Sequence, residues 1–345
     1  MEKYFLGANS AIGFYSLYDG FCADRGDFLH LIKGGPGCGK SGFMRRIAEA
    51  AEKKGLEVEY VLCSGDPDSL DGIYIPELKV GYSDATAPHV IEPRHFGADS
   101  DYVNLGRFCT RAPSDEIGLY TAKYKAYYDR AYSLLSAAGA VKTAPYPELI
   151  DGDVITKVDH RAGTAVRRAL GAPCGSGKVK KCFIRAISCM GELVLNSSVS
   201  ELCKLVYVLD DRFGLAKYYL ECVIREAQAR GDDIVICLSP LLPDTPEAVI
   251  FPAQGVCFAS SDISPADLPC RHIRLDAMLS PEKLRAQRSE IKKAEKIYAC
   301  IMDSAYFSLA GAKHWHDELE KAYRPYVDFK ALDDFTEKEI DKFIK

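Results

Sequence analysis

Self-similarity constrains this chain more than any other feature, because a sequence that repeats must build its fold twice. Phe5-Leu6-Gly7-Ala8, followed by Ser10 and Gly13, matches Phe183-Ile184-Arg185-Ala186, followed by Ser188 and Gly191, at an offset of 178 residues. At 177, Leu31-Ile32 falls on Val208-Leu209, Gly37 on Gly214 and Lys40 on Lys217, and the run Phe43, Arg46, Ile47 falls on Leu220, Val223, Ile224. Val58 to Cys63 and Ile73-Tyr74-Ile75-Pro76 return 176 residues later as Ile234 to Ser239 and Val249-Ile250-Phe251-Pro252. Tyr124, Asp129, Ala131-Tyr132 and Leu135 return at 174 as Tyr298, Asp303, Ala305-Tyr306 and Leu309. Ordered matches with a slowly drifting offset indicate duplication with small loop insertions.

Each half reads as a short apolar strand, a loop, a helix and a second strand ending in Cys63-Ser64-Gly65 or Leu238-Ser239-Pro240. Strand, helix, strand is the βαβ unit, whose strands lie parallel. The expectation is an α/β chain of two tandem three-layer α/β/α domains with mainly parallel sheets, residues 1–150 and 181–345, joined by a helical linker, 151–180. Glu116 to Ala138 and Pro281 to Leu309 read as longer helices, Ile155 to Leu170 as a bridging helix, and Thr336 to Ile344 as a short charged one.

Between the strand His30-Leu31-Ile32-Lys33 and a helix starting near Lys40 stands Gly34-Gly35-Pro36-Gly37-Cys38-Gly39-Lys40-Ser41, a full match to G-x-x-x-x-G-K-[ST]. Each residue type has a task. Glycines let the main chain wrap around phosphate with its N–H groups inward, and the helix amino terminus adds its positive dipole end. A lysine here reaches β- and γ-phosphate oxygens, and a serine hydroxyl ligates Mg²⁺. An acidic partner on a neighbouring strand is also needed, and Lys79-Val80-Gly81-Tyr82-Ser83-Asp84 supplies Asp84 as the candidate second metal ligand beside Ser41. A plain turn aspartate before Ala85-Thr86-Ala87-Pro88 is the alternative.

Asp66-Pro67-Asp68-Ser69-Leu70-Asp71-Gly72 packs three carboxylates into a turn at the sheet's carboxyl edge. Such groups bind substrate, orient water or act as a base, with Asp68 and Asp71 the preferred members; equally, Asp, Pro, Ser and Gly favour turns for local reasons. His89 and Glu92 are further candidates for sensing the γ-phosphate or positioning water. Arg94 and Arg111 follow in a loop-rich region, where solvated surface competes with closure over a ligand, and Arg45-Arg46 suits the surface or a domain contact.

The second copy has lost this equipment. Asp211-Arg212-Phe213-Gly214-Leu215-Ala216-Lys217-Tyr218 keeps one glycine and the lysine, sets Asp210 and Asp211 near the phosphate position, and offers Lys217 a pairing with either aspartate. Asp84 aligns with Ser260. Gly175-Ser176-Gly177-Lys178-Val179 looks similar but follows a helix and lacks the hydroxyl, so it reads as linker. In His314-Trp315-His316-Asp317-Glu318, His314 and Glu318 share a helix face as a potential ligand pair, against which stands simple packing of Trp315.

With 44 Lys plus Arg against 49 Asp plus Glu, the formal net charge is −5, which disfavours a nucleic-acid partner without a local basic patch. None of the 13 cysteines forms a Cys-x-x-Cys pair, so they read as reduced, buried small hydrophobes. MEKYFLGANS lacks the order of a secretory signal, and no apolar run approaches a membrane span; a soluble, cytoplasmic protein with no membrane partner is expected.

The loop Gly34 to Ser41, the segment Cys63 to Gly72 and Asp84-Ala85-Thr86-Ala87-Pro88-His89 together resemble an uncharacterised bacterial family of tandem P-loop ATP-binding proteins. The resemblance spans nearly the full length and is specific through residue 93, whereas members carry a second intact loop and this chain departs at Asp211 to Tyr218. It implies the P-loop NTPase fold and ATP with Mg²⁺ as ligands. The expected function is Mg²⁺-dependent ATP hydrolysis in the first half, with Lys40, Asp84, Asp68, Asp71 and His89 as catalytic candidates. A kinase acting on a small-molecule acceptor, or a nucleotide sensor engaging a protein partner through the second half, are the alternatives.

Overall fold

The computed structural model describes residues 2–88, 90–144 and 148–343. The first half contains β1 (Lys3–Tyr4), a hairpin of β2 (Gly7–Ser10) and β3 (Gly13–Ser16), β4 (Phe28–Lys33), α1 (Lys40–Lys53), β5 (Glu59–Leu62), β6 (Leu70–Ile75), β7 (Val80–Asp84), β8 (Ser100–Asn104), α2 (Ser114–Lys142) and α3 (Gly152–Ala169). The second half repeats this as β9 (Val179–Cys182), the hairpin β10 (Arg185–Ser188) and β11 (Gly191–Val194), α4 (Asn196–Leu202), β12 (Leu205–Asp210), α5 (Leu215–Arg230), β13 (Ile234–Leu238), β14 (Pro246–Phe251), β15 (Val256–Ser260), β16 (Cys270–Arg274), α6 (Pro281–Tyr323) and α7 (Phe329–Phe343).

The main sheets have one topology. Their orders are β1-β5-β6-β7-β4-β8 and, in equivalent positions, β9-β13-β14-β15-β12-β16. In both, the third strand, β6 or β14, runs antiparallel to its two neighbours while the remaining pairings are parallel. Even an irregularity is duplicated: the register shifts between Val61 and Leu62 and again between Cys237 and Leu238. The chain is thus α/β with mixed, mostly parallel sheets and two similar halves. The antiparallel β6 was not expected, and it moves Asp71 and Gly72 from a turn into a strand.

Alternation along the central strands assigns their faces. Ile32 of β4 packs beneath α1, whose Phe43, Met44, Ile47, Ala48 and Ala51 form the buried stripe of an amphipathic helix. Leu29 and Leu31 point the other way, into a core that also contains Val206, Val208, Val235 and Ile250 from the second half. The halves therefore share apolar interior.

A pseudo-two-fold axis relates them. Phe5 N–H donates to Phe183 O (2.8 Å) and Phe183 N–H donates to Phe5 O (2.9 Å). Each hairpin crosses to the opposite half, where Ala11 N–H reaches Leu241 O (2.9 Å) and Cys189 N–H reaches Gly65 O (3.2 Å). Tyr120 stacks on Trp315 while Lys142, at the other end of α2, lies over Tyr298, so α2 and α6 pack antiparallel.

The terminal helix of each half is exchanged. The bridging helix α3, capped by Asp151 accepting from Val154 N–H (3.0 Å), packs on α5 through Val158, Ala162 and Val166. Reciprocally, α7 packs on α1, where Phe335 stacks on Phe43 with ring centroids 6.0 Å apart and Arg46 pairs with Asp333 and Glu337. The domain contact read for Arg46 is this one. No described helix is long and apolar enough to cross a membrane.

Candidate functional site

The segment Gly34 to Ser41 joins the carboxyl end of β4 to the amino terminus of α1. Its backbone enters the left-handed region at Gly37 (φ 69°) and Gly39 (φ 86°), and a side chain is crowded at Gly34 as well. At Gly39, the residue before the helix, a Cβ would lie 2.7 Å from Leu332 Cδ2; a Cβ on Gly34 would meet Cys38 Sγ at 2.4 Å. Burial pushes the Cys38 thiol pKa up despite the nearby Lys40 cation, so this cysteine is an inert packing group.

Lys40 Nζ donates to the carbonyls of Gly34 and Gly35, both at 3.1 Å, and lies 3.6 Å from Asp84 Oδ2. Asp84 stands at the end of β7, where Ile32 of β4 is its register partner, and its Oδ1 accepts from Thr86 N–H (2.8 Å) and Thr86 Oγ1 (2.6 Å). Ser41 Oγ accepts from Leu70 N–H (3.0 Å), tying the start of α1 to β6. Asp71, buried on β6, accepts from Tyr18 Oη (3.3 Å), and burial together with the Asp71 and Asp84 charges lifts the Tyr18 phenol well above its ordinary value. Lys40 and Asp84 thus meet beside the loop, Ser41 ties α1 to β6, and the Asp71 carboxylate is turned to Tyr18.

Other candidates do not join them. Asp68 is exposed, and what it contributes is its backbone carbonyl, which accepts from Arg45 Nη2 (3.0 Å). Glu92 lies 3.6 Å from Lys33 and accepts from Tyr102 Oη, a bond that, with the Lys33 charge, lowers its pKa on the open surface. Arg94 binds the carbonyl of Cys22, a scaffold contact, and Arg111 is exposed. His89 falls outside the described residues.

Sequence reasoning missed the cover of the loop. The carboxyl end of α6 and the start of α7, both from the second half, lie directly on it. A Cβ on Gly37 would stand 3.0 Å from Glu320 O, and Gly35 faces the Tyr323 ring. A cavity of about 320 Å³ beside the loop is lined by Gly37, Asp317, Glu320, Lys321, Arg324 and Phe329. On the same stretch, Lys313 bridges Asp66 (3.4 Å) of the first half and Asp317 (2.5 Å). Burial opposes the Lys313 charge, but the two carboxylates outweigh it and raise its pKa. His316 is held below the ordinary imidazole value by burial; Glu320 and Asp317 pull it up, while the cations of Lys40 and Lys313 push it down.

The pairing of His314 with Glu318 is not formed: His314 packs edge-on against Trp315 and Glu318 pairs with Lys321 (2.7 Å). The residues that gather are one helix face over, His316, Asp317 and Glu320, with ligand atoms within 4.8 Å of one another. Residues 313, 316, 317, 320 and 324 recur at helical spacing, a signal present in the sequence but only readable once the orientation of α6 is known.

The second loop closes on itself. Asp211 Oδ1 accepts from Phe213 N–H (3.0 Å) and Oδ2 from Ala216 N–H (2.8 Å), so a carboxylate takes the donors at the start of α5 that would face an anion. Lys217 pairs with Glu221 (3.9 Å), one turn along its own helix, rather than with Asp210 or Asp211; Asp210 is engaged by His272 (2.8 Å). At the position of Asp71 stands buried Glu247, paired with Arg185 (3.0 Å), which replaces Gly7 and also contacts Asp262 (2.9 Å) and Glu192. Burial raises the Glu247 pKa more than the shared Arg185 lowers it. The linker residues Ser176 and Lys178 donate their N–H groups to Asp233 Oδ1 of the second half, both at 2.7 Å.

No family model matches the chain, and neither a curated protein nor a solved structure does.

Proposed function

We propose that the first half is a P-loop NTPase unit that binds ATP with Mg²⁺ at Gly34 to Ser41 and hydrolyses it, and that the second half binds no nucleotide. The observation that carries this reading is the meeting of Lys40 and Asp84, beside Ser41, at a glycine loop entering a helix amino terminus, with Lys40 held among the described residues by two backbone carbonyls and Asp84. Those are contacts a triphosphate can replace.

In this reading the loop N–H groups and the α1 dipole receive the phosphates, and Lys40 turns from the Gly34 and Gly35 carbonyls to β- and γ-phosphate oxygens. A hydroxyl and carboxylates are all-oxygen donors, which suit Mg²⁺ better than softer metals, and Ser41 and Asp84 would hold it. When bound, the ion offsets the charge on the β- and γ-phosphates. Asp71, whose carboxylate holds Tyr18, would act on the site through that buried polar cluster rather than by touching the nucleotide. Water is favoured over an organic acceptor because the cavity beside the loop is lined by neither Asp68 nor Asp71.

The test is ATP turnover by wild type, K40A and D84N with Mg²⁺ or with chelator. Turnover by wild type that falls at least about 100-fold in both variants supports the reading. Equal rates in wild type and K40A would assign any activity to a contaminant and sink it.

A further inference from the structure

The two halves differ in what faces their loops, and the difference follows the loops. Tyr124 of α2 aligns with Tyr298 of α6 at an offset of 174, which sets the last residue of α2, Lys142, opposite His316. Helix α6 continues to Tyr323, and this extra helix lies on the first half's loop. Lys313 aligns with Gly139, where a Cβ would come within 2.6 Å of Ala11 Cβ, so no lysine fits the equivalent place. A cation on α6 therefore reaches Asp66 of the first half, while Gly139 sets none at the equivalent place beside the second half.

Its surroundings point the same way. Lys313 reaches out of the second half to Asp66, in the segment that follows β5 at the carboxyl edge of the first sheet. Lys313 lies on the same α6 face as His316 and Glu320, and the charges of Lys40 and Lys313 both act on the His316 imidazole. Asp317 both pairs with Lys313 and lines the cavity against Gly37.

We propose that Lys313 is the cation the second half delivers to the terminal phosphate of a nucleoside triphosphate in the first half, an inference that rests on the nucleotide-binding reading above. Lys313 exchanges Asp66 and Asp317 for phosphate oxygens, and its flexible stem and three donors suit that exchange. It forms no covalent bond and gives up no proton. As the water oxygen bonds to the γ-phosphorus and the bond to the bridging β,γ oxygen breaks, the electron pair leaves with ADP, one water proton stays on the inorganic phosphate and the other passes to a phosphate oxygen or to solvent, and the ammonium offsets the charge shared by the separating groups. Hydrolysis in one half then depends on the position of α6 from the other.

The deciding experiment compares equilibrium binding of ADP and of a non-hydrolysable ATP analogue to wild type, K313A, K313M and K313R, with K40A as the reference and thermal melts to establish folding. In K313A and K313M, affinity for the triphosphate analogue is expected to fall about tenfold, with ADP affinity held within about twofold, and K313R to retain most of the preference. K40A is expected to lose both ligands. Wild-type binding with an unchanged triphosphate-to-diphosphate ratio in K313A and K313M, or equal losses for both ligands, would overturn the assignment of Lys313 alone. Absence of binding by wild type would instead bring down the nucleotide reading and this inference with it.

Discussion

Replacing Asp211 by alanine tests whether the second loop is closed by its own carboxylate. Both oxygens of Asp211 accept main-chain N–H groups at the start of α5, at 3.0 Å from Phe213 and 2.8 Å from Ala216. A side-chain cap of this kind stabilises by about 1 kcal/mol, and a negative charge at a helix amino terminus adds roughly 0.3–1 kcal/mol more. Asp211 is half-buried, which reduces solvent screening, so D211A should lose about 2 kcal/mol. In a chain of 345 residues that corresponds to a drop of about 3 °C in melting temperature. D211N keeps an acceptor without the charge and should lose less than half as much. Circular dichroism melts of the three proteins at neutral pH measure both effects. A D211A protein that melts within about 0.5 °C of wild type would refute the carboxylate cap, since the expected loss is several times larger.

Two further outcomes follow from the exchanged helix and the buried ion pair. F335A removes the ring stacked on Phe43, with the Arg107 guanidinium 4.3 Å from its centroid, and should destabilise by about 2–3 kcal/mol and speed hydrogen exchange in residues 43–53; unchanged exchange there would contradict the role of α7 in holding α1. For Glu247, whose pKa is raised by burial, the folded chain binds more protons than the unfolded chain between the ordinary and the raised value. The stability this carboxyl contributes is thus full below the unfolded glutamate value and lost as pH rises through the folded one. E247Q should flatten that decline, and a melting profile with wild-type slope from about pH 4 to 7 would count against it.

The parts legible in the sequence are those set by local rules. The glycine loop, the apolar strand before it and the helix α1 after it all follow from short-range chemistry, and the repeat announced two similar halves. Register and partner choice were less accessible. Leu70 to Ile75 alternates too weakly to reveal β6 as a strand inserted antiparallel between β5 and β7, so Asp71 read as a turn residue beside Asp68. Periodicity shows that α3 and α7 each bury a face, but not that each buries it on the other half. The same limit applies to α6. His314 with Glu318 and His316 with Glu320 are both four apart, and only the packing of α6 on α2 turns the second pair towards Gly37. Lys217 is likewise drawn to Glu221 because the helix presents a partner one turn away, a nearer solution than the loop aspartates.

The unequal loops meet their most direct test in calorimetric titration of wild type and K40A with Mg-ATP. The expected result is one site per chain in wild type and none in K40A. No binding by wild type at millimolar ATP, or a site that survives K40A, would contradict a single nucleotide site at Gly34 to Ser41.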